Sequence, residues 1–474
     1  MGNIIGRERE QYLLNEYVES GKPEFVAVFG RRRVGKTFLI REYFNRQFAF
    51  YFSGADNTEK QQQLENFNTT LQKYGNEYYP LATSWFRAFE QLSRMLEKSE
   101  EQGRKVIFID ELPWLDTPRS GFIQALEYFW NTWASARPDI MLIVCGSATS
   151  WMLNKLIKNR GGLHNRVTRQ MPIEPFTLQE CEAFLQHHQI VMSRYQIVEC
   201  YMIMGGIPYY LEQLEKSPGL SQNIDNLFFN PKGVLKQEFS KLYASLFKHS
   251  DRYIKIVEAL GKKRKGLTRE EIITATEFSD GGTLTKMLEE LEQCGFIRSY
   301  NAYEKRAKER LYQLIDFYSL FYLNFVKNNR HNDEHFWTNL IDNAKHRAWS
   351  GYAFEQVCMQ HAKQIRHKLG ISGIVTYSAS WRSKKSDPAA QVDLLIDRND
   401  GVINLCEVKY SQSEFTIDKK QDEILRNKKS AFISETKTRK AVHITMVTTY
   451  GVKRNEYWGH IQSEVRMEDL FVGV

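Results

Sequence analysis

The sequence predicts a multidomain α/β protein whose N-terminal part is built on a parallel β-sheet. Residues 25–29, 106–111 and 140–147 are apolar segments of strand length, and each ends at glycine or at polar residues. Residues 38–44 follow the first of these segments with large side chains at helical spacing. Strands and helices that alternate in this way form parallel sheets. The 474 residues are too many for one hydrophobic core, so we expect several domains.

Composition and charge exclude several classes of protein. With 42% hydrophobic and 26% charged residues, the chain has the composition of a soluble globular protein. It contains no run of roughly eighteen apolar residues, so we expect no membrane span. The six cysteines form no C-x-x-C pair and the first residues lack a secretory signal, which together favour a cytoplasmic protein. The net charge of +8 permits nucleic-acid binding without requiring it.

The most specific motif is Gly30-Arg31-Arg32-Arg33-Val34-Gly35-Lys36-Thr37, which has the spacing G-x-x-x-x-G-K-[ST]. This motif binds a nucleoside triphosphate: main-chain N–H groups surround the phosphates, Lys36 reaches the β and γ oxygens, and the Thr37 hydroxyl holds Mg²⁺. Its place between a strand and a helix sets a helix N-terminus against the phosphates. We therefore expect ATP and Mg²⁺ as cofactors, and we include the next residue, Phe38, in the nucleotide-binding set.

Polar residues at the ends of two further strands complete the predicted ATPase site. Asp110 is expected to hold the magnesium ion through water, and Glu111 to polarise the water that attacks the γ-phosphate. Ser147 can hydrogen-bond the γ-phosphate or that water, and the alternative is an ordinary turn between a strand and a helix. Arg166, in preference to Arg160, is the expected arginine for the γ-phosphate, with a plain surface role as the alternative. We expect Arg166 to open the next strand.

Four segments together resemble the archaeal-type ATPase family of the AAA+-related STAND class. They are Ile5-Gly6-Arg7-Glu8, Gly30–Thr37, Ile109–Trp114 and Gly205–Leu211. The resemblance covers about the first half of the chain and implies that Ile5, Gly6 and Arg7 flank the nucleotide base. It also implies a helical lid in which Pro208 contacts the base or the ribose. The residues 205–208 by themselves predict only a sharp turn between two helices.

We expect four consecutive domains. They are a P-loop ATPase core (residues 1–177), an α-helical lid with a linker (178–245), a winged-helix domain (246–330) and a nuclease-like domain (331–474). The third contains three short helices, the second of which begins with a capping box at Thr268 and Glu271, and then a hairpin.

The predicted winged helix offers little for reading DNA. Its third helix carries Lys286 but also Glu289 and Glu290, and the basic run 262–265 lies in a loop that we expect to be solvated. Direct DNA binding by the third helix is one interpretation. The other is a packing module that transmits the nucleotide state to the C-terminal part.

A second cluster of chemically suited residues lies near the C-terminus. Residues 391–397 and 402–409 alternate as strands around a turn, which predicts a β-hairpin. The hairpin brings Asp393 close to Glu407 and Lys409, which face one side because they are two residues apart. Two carboxylates and a lysine suit metal-assisted phosphodiester hydrolysis, in which Asp393 and Glu407 hold Mg²⁺ and the lysine orients or activates water.

This D…E-x-K pattern, after a helix that carries Glu355, resembles the PD-(D/E)XK nuclease superfamily. It is also similar to the C-terminal domain of unknown function that accompanies archaeal-type ATPases. The resemblance implies a restriction-endonuclease-like α/β domain with Glu355, Asp393, Glu407 and Lys409 as its active-site set, although Val392 stands where proline is common. The alternatives are a salt-bridged surface hairpin and a nuclease fold retained as a binding platform.

Basic residues surround this cluster and favour an anionic partner. They are Arg382, Lys384, Lys385, Lys419, Lys420, Lys428 and Lys429. Such a rim attracts a phosphate backbone, although lysines are also common on any protein surface. The sequence thus predicts a protein that binds ATP and ADP, hydrolyses ATP and carries a nuclease-like domain for DNA. The alternatives are a nucleotide-dependent switch, with homo-oligomer formation as its output, and a winged-helix DNA regulator.

Overall fold

The computed structural model describes residues 4–100, 103–157, 166–300, 303, 310–329, 333–341, 343–383 and 390–474. The chain divides into two compact units, residues 1–175 and 176–474. Arg160, Lys384, Lys385 and the loop 304–309 lie outside the described residues. Within the described ranges, no helix is both long enough and apolar enough to cross a bilayer. The boundaries expected within the second unit remain predictions.

The first unit is built on a parallel sheet with the strand order β2-β3-β4-β1-β5. Its strands are β1 (Glu24–Phe29), β2 (Phe50–Ser53), β3 (Lys105–Asp110), β4 (Ile140–Gly146) and β5 (Arg169–Pro172). Every residue of β1, β3 and β4 is buried, which explains why their sequences are nearly continuous apolar runs. The expected α/β core with a parallel sheet is confirmed.

Helices and an aromatic cluster cover this sheet. The helices are α1 (Glu8–Glu19), α2 (Lys36–Tyr43), α3 (Lys60–Gly75), α4 (Trp85–Lys98), α5 (Phe122–Thr132) and α6 (Thr149–Trp151). The Trp85 ring packs edge-on against Phe67 and Phe122, with centroids 5.7 and 5.0 Å apart. Large aromatic side chains contribute most to the stability of such cores, so the sheet is a rigid base for the loops at its strand ends.

The second unit begins with helices and a small antiparallel sheet. Its first elements are α7 (Leu178–His187), α8 (Arg194–Met204), α9 (Pro208–Leu211), α10 (Leu220–Ile224), α11 (Glu238–Leu246), α12 (Ser250–Gly261), β6 (Leu267–Thr268), α13 (Arg269–Thr276), α14 (Gly282–Gln293), β7 (Ile297–Tyr300) and β8 (Leu311–Leu314). The sheet order is β6-β8-β7. The capping box predicted at α13 is present, because the Thr268 hydroxyl accepts from the Glu271 N–H and the Glu271 carboxylate accepts from the Thr268 N–H.

The C-terminal part of the second unit contains a mixed five-stranded sheet. Its elements are α15 (Phe317–Phe321), α16 (Phe336–Leu340), α17 (Ala344–Gln360), α18 (Ala362–Lys368), β9 (Thr376–Arg382), β10 (Gln391–Arg398), β11 (Val402–Lys409), α19 (Lys419–Thr436), β12 (Ala441–Thr448) and β13 (Ser463–Arg466). Strands β9, β10 and β11 are antiparallel neighbours, whereas β11, β12 and β13 run parallel. Helix α19 connects β11 to β12, as parallel neighbours require.

The sharp turn predicted between α8 and α9 depends on glycine. Gly206 has a φ of 66°, and its carbonyl accepts a 2.7 Å hydrogen bond from the Phe176 N–H. A Cβ atom at this position would lie 2.3 Å from the Phe176 carbonyl oxygen. The turn therefore holds the start of the second unit against the end of α8.

We expect Gly206→Ala to destabilise the second unit by about 2 kcal/mol or more, because the left-handed conformation alone costs alanine roughly 1–2 kcal/mol and the new methyl group overlaps a carbonyl. Thermal unfolding measures this effect. Gly373→Ala is the matched control, since a Cβ there meets no described atom within 4 Å and its φ is not left-handed. Equal melting temperatures for the two variants would contradict the requirement for glycine at position 206.

Candidate functional sites

The loop between β1 and α2, residues 30–35, has a backbone that requires glycine at two positions. Gly30 has a φ of 147°, and a Cβ atom there would lie 2.2 Å from the carbonyl oxygen of Ile173. Gly35 has a φ of 88° and precedes α2 as its N-cap, where no described side chain caps the helix. The first N–H groups of α2 are therefore open to an anion.

The ammonium group of Lys36 is buried at the base of this loop. Its Nζ donates to the carbonyl oxygens of Gly30 at 2.9 Å and of Arg31 at 2.8 Å. Burial lowers the pKa of Lys36 because the charged form loses its hydration. A phosphate group would supply the negative charge that these neutral carbonyls lack, so the loop fits a nucleoside triphosphate.

Arg7 contacts the same loop from the start of the chain. Its side chain is buried, and Nη2 donates to the Val34 carbonyl oxygen at 3.1 Å. Gly6 and Arg7 both have left-handed φ values, and the Gly6 carbonyl accepts from Gln11 at 2.8 Å. The resemblance implied only that Arg7 lies near the base. The contact with the loop backbone is a role that the sequence did not predict.

The two residues expected to hold Mg²⁺ are in direct contact. The Thr37 hydroxyl donates to Asp110 Oδ2 at 2.8 Å, and Asp110 Oδ1 accepts from the Glu111 N–H at 2.9 Å. Asp110 is buried at the end of β3. A hydroxyl and a carboxylate are the hard oxygen ligands that Mg²⁺ prefers, so this pair fits the ion.

Glu111 and Ser147 form a hydrogen-bonded pair beside Asp110. Glu111 Oε2 accepts from the Ser147 hydroxyl at 2.9 Å and from the Ser147 N–H at 3.3 Å. Burial raises the pKa of Glu111, and the neighbouring Asp110 carboxylate raises it further. Ser147 was expected at the γ-phosphate, whereas here its hydroxyl orients Glu111. A buried carboxylate with a raised pKa is suited to accept a proton from water.

The other residues expected at the nucleotide are placed as follows. Val34 and Arg31 are buried, Ile5, Arg32 and Arg33 are half-buried, Phe38 is 55% exposed, and Pro208 is the first residue of α9 in the second unit. Arg166 is exposed, and the strand expected to open there begins at Arg169. Just before this strand the Thr168 N–H donates to the Phe25 carbonyl, but the Phe25 N–H donates to the Thr168 hydroxyl at 2.9 Å, so a side chain replaces one main-chain acceptor there.

The second unit brings the expected C-terminal residues together. Glu355 lies on α17, Asp393 on β10, and Glu407 and Lys409 on β11. The antiparallel register pairs Leu394 with Cys406, so the next pair sets Asp393 opposite Glu407. Among the residues that the structure describes, no three His, Cys, Asp or Glu side chains form a group that could hold a metal ion.

Glu407 is neutralised by two lysines. Lys409 Nζ lies 2.9 Å from its Oε1, and Lys428 Nζ, from α19, lies 2.6 Å from its Oε2. Burial alone would raise the pKa of Glu407, but the two ammonium groups outweigh it and the pKa is lowered. The sequence indicated Lys428 only as part of a basic rim. Its contact depends on α19 crossing back over the sheet.

Glu355 has the opposite electrostatic environment. Burial, together with the Asp393 and Glu407 carboxylates, raises the pKa of Glu355 to about 8. Glu355 is therefore mainly protonated at neutral pH, whereas Glu407 is ionised. Two neighbouring carboxyl groups with separated pKa values can act as an acid and a base in the same reaction.

Comparison with known proteins identifies the first of these sites. Residues 4–214 match a protein family described as an ATPase domain predominantly from Archaea. This part of the chain is therefore similar to archaeal ATPase domains. The matched region includes the glycine-rich loop, Asp110, Glu111 and Ser147, and it ends before the residues of the second acidic site.

Several individual proteins are also similar to the chain. The uncharacterized protein MJECL04 of Methanocaldococcus jannaschii is 25% identical over 413 residues, which are 86% of this chain and 87% of the relative. A Walker-type ATPase of Pyrococcus abyssi is 17% identical with a TM-score of 0.46, covering 68% of this chain and 96% of that one. A STAND protein of Pyrococcus horikoshii with a tetratricopeptide repeat sensor is 14% identical with a TM-score of 0.31, covering 77% and 50%. The similarity to MJECL04 is longer than the ATPase domain and so continues into the second unit.

We expect Glu111→Gln to lower the kcat of ATP hydrolysis by about 10²–10⁴-fold, the usual contribution of a general base. The affinity for ATP should change little, because the substitution leaves the glycine-rich loop intact. Steady-state hydrolysis and calorimetry measure the two effects. Asp116→Asn is the matched control, since its carboxylate contacts Trp151 and not Ser147. A kcat for Glu111→Gln equal to that of the control would rule out this role.

We expect the stability of the second unit to fall between pH 5 and pH 8 through Glu355. Its pKa is about 8 in the folded chain against 4.5 ordinarily, so over this range the folded state keeps a proton that the unfolded state has lost. The slope from one proton is at most about 1.4 kcal/mol per pH unit. Urea unfolding in a chelator should show a smaller pH slope for Glu355→Gln. Identical slopes for the two proteins would contradict the raised pKa.

Proposed function

We propose that the chain is a Mg²⁺-dependent ATPase whose second unit carries a nuclease site that acts on DNA. The observation that supports the nuclease most directly is the convergence of Asp393, Glu407 and Lys409 beside Glu355. Supporting it further, three antiparallel strands are followed by α19 and a parallel strand, the order expected of a restriction-endonuclease-like domain. The elements from α12 to β8 have the order expected of a winged helix.

In the proposed ATPase reaction, each residue has one task. Lys36 and the N–H groups of the loop bind the β and γ oxygens of ATP. Thr37 and Asp110 would hold Mg²⁺, which would neutralise part of the phosphate charge. Glu111, oriented by Ser147, accepts a proton from the attacking water. We also assign Ile5, Gly6 and Arg7 to the base.

Arg166 is the proposed γ-phosphate arginine of the same reaction. It is exposed near β5, so it can serve its own site or that of a second copy in a homo-oligomer.

In the proposed nuclease reaction, water is added across one P–O bond of DNA. Asp393 and Glu407 would hold the divalent ion, which would supply neutralisation of the phosphate charge, and Lys409 would orient the attacking water. The hydroxyl of the water ends on phosphorus, and its proton ends on the leaving oxygen. Glu355 interacts electrostatically with Asp393 and Glu407, so we include it in the same active-site set.

The test is a cleavage assay with the full chain on linear, circular and branched DNA, with Mg²⁺ or Mn²⁺ and with or without ATP. We expect cutting by the native protein and a loss of at least about 100-fold for Glu407→Ala and Lys409→Ala. Glu423→Ala, an exposed carboxylate on α19, is the matched control and should keep the native rate. Lys36→Ala should abolish nucleotide binding in calorimetry and any effect of ATP on cutting.

Two results would contradict the proposal. Cutting that persists in Glu407→Ala means that the nuclease site lies elsewhere. No cutting with either metal, combined with an ATP-dependent change of mass in light scattering, favours a nucleotide switch that uses the nuclease fold only for binding.

A further inference from the structure

A cavity of about 590 Å³ opens in the second unit beside the acidic site. Glu355, Asp393 and Lys428 form part of its wall. Facing them are the loop 263–266 between α12 and β6 and the side chain of Arg298 on β7. The cavity is therefore shared by the small antiparallel sheet and the C-terminal sheet, and the candidate nuclease residues lie on its surface.

The wall of this cavity is strongly basic. Seven lysine or arginine side chains and only two carboxylates line it. Lys265, Arg298 and Arg382 form no ion pair with any carboxylate among the described residues. So many like charges in one concave space repel each other, and they raise the local concentration of anions.

The basic loop has a fixed position on α17. The Arg264 carbonyl oxygen accepts from the Tyr352 hydroxyl at 3.0 Å and from Gln313 Nε2 at 2.7 Å, and the Arg264 guanidinium donates to the Ala348 carbonyl at 2.8 Å. The Tyr300 hydroxyl also donates to the Lys265 carbonyl at 2.8 Å. The loop expected to be solvated is thus held against the helix that carries Glu355, because main-chain contacts outside its own sequence anchor it.

The guanidinium group of Arg298 is suited to bind an anion in this cavity. Its Nη2 and Nε donate to the neutral Gln313 Oε1 at 2.6 and 2.9 Å, and its guanidinium lies 5.4 Å from the centre of the Tyr300 ring. Loss of hydration lowers the pKa of Arg298, and the nearby Tyr300, Tyr352 and Asp393 side chains offset this only in part. A phosphate group can bind such a guanidinium through two parallel hydrogen bonds.

The size and lining of the cavity select the kind of nucleic acid. A cavity of about 590 Å³ has room for a short stretch of one strand and not for a double helix, whose major groove alone is roughly 12 Å wide. Tyr300, Tyr352 and Trp381 also line the wall. Basic grooves with aromatic side chains are typical of proteins that bind single strands, because bases stack on the rings while cations hold the backbone.

We propose that this cavity binds a single-stranded segment of nucleic acid and sets its phosphodiester backbone against Glu355 and Asp393. The inference rests on the proposed nuclease function and names the form of its substrate. Residues 263–265 then contribute to substrate binding through the loop before β6, and the third helix of the predicted winged helix, α14, has no part in it.

The test measures binding without cutting. Fluorescence anisotropy of a labelled single-stranded oligothymidylate is followed in EDTA over a series of KCl concentrations. The variant Lys263→Ala/Arg264→Ala/Lys265→Ala removes the Arg264 side-chain contact with Ala348 but keeps the hydrogen bonds to the Arg264 and Lys265 carbonyl oxygens. The control Lys232→Ala/Lys241→Ala/Lys248→Ala removes three exposed lysines away from the cavity. We expect the first to weaken binding at least tenfold and to reduce the slope of log K against log salt by about 2. The second should stay near the native affinity.

Equal affinities for the two triple variants would overturn the proposal, as would a duplex of the same sequence that binds as tightly as the single strand. If thermal unfolding shows that the loop variant is misfolded, Arg382→Ala replaces it, because Arg382 lines the same cavity from the end of β9. Arg382→Ala should also weaken single-strand binding, and native affinity for it would count against the cavity. Binding that depends on the cavity, with no cutting under any metal, would support this inference and contradict only the nuclease.

Discussion

Lys36 keeps its ammonium group inside the protein against two carbonyl oxygens and not against a carboxylate. A buried charge with neutral partners is costly, so the surrounding structure must hold it in place. The buried strand β1, the close approach of Gly30 to Ile173 and the hydrogen bond from Arg7 to Val34 do this. The loop is therefore shaped for a polyanion before the anion arrives, which lowers the cost of ordering it on binding.

The second unit shows a comparable electrostatic arrangement on a different sheet. Two ammonium groups hold Glu407 ionised, while burial keeps Glu355 protonated. Arg298 donates through its Nε and Nη2 atoms to the Gln313 amide and to the Met359 sulfur, and neither partner carries a negative charge. In each unit, a cationic side chain whose hydrogen-bond partners are neutral lies near acidic residues. This combination suits sites that bind phosphates and hydrolyse them.

Local sequence was sufficient to predict some of these features and insufficient for others. The glycine-rich loop, the strand before it and the capping box at Thr268 were predictable because each depends on residues close together in the chain. The contact of Ser147 with Glu111 was not, because it requires β3 and β4 to be neighbours and Glu111 to adopt a left-handed φ of 45°. The roles of Lys428 and of the loop 263–265 depend on contacts with distant elements, so sequence spacing carried no signal for them.

The raised pKa of Glu355 has a thermodynamic consequence for metal binding. The proposed cation beside Asp393 and Glu407 would favour the ionised form of Glu355, which is mainly protonated at neutral pH when no metal is bound. Uptake of such an ion would then be coupled to the release of a proton into the solvent. The apparent enthalpy of metal binding would include the ionisation enthalpy of the buffer, and it would differ between phosphate and Tris at the same pH.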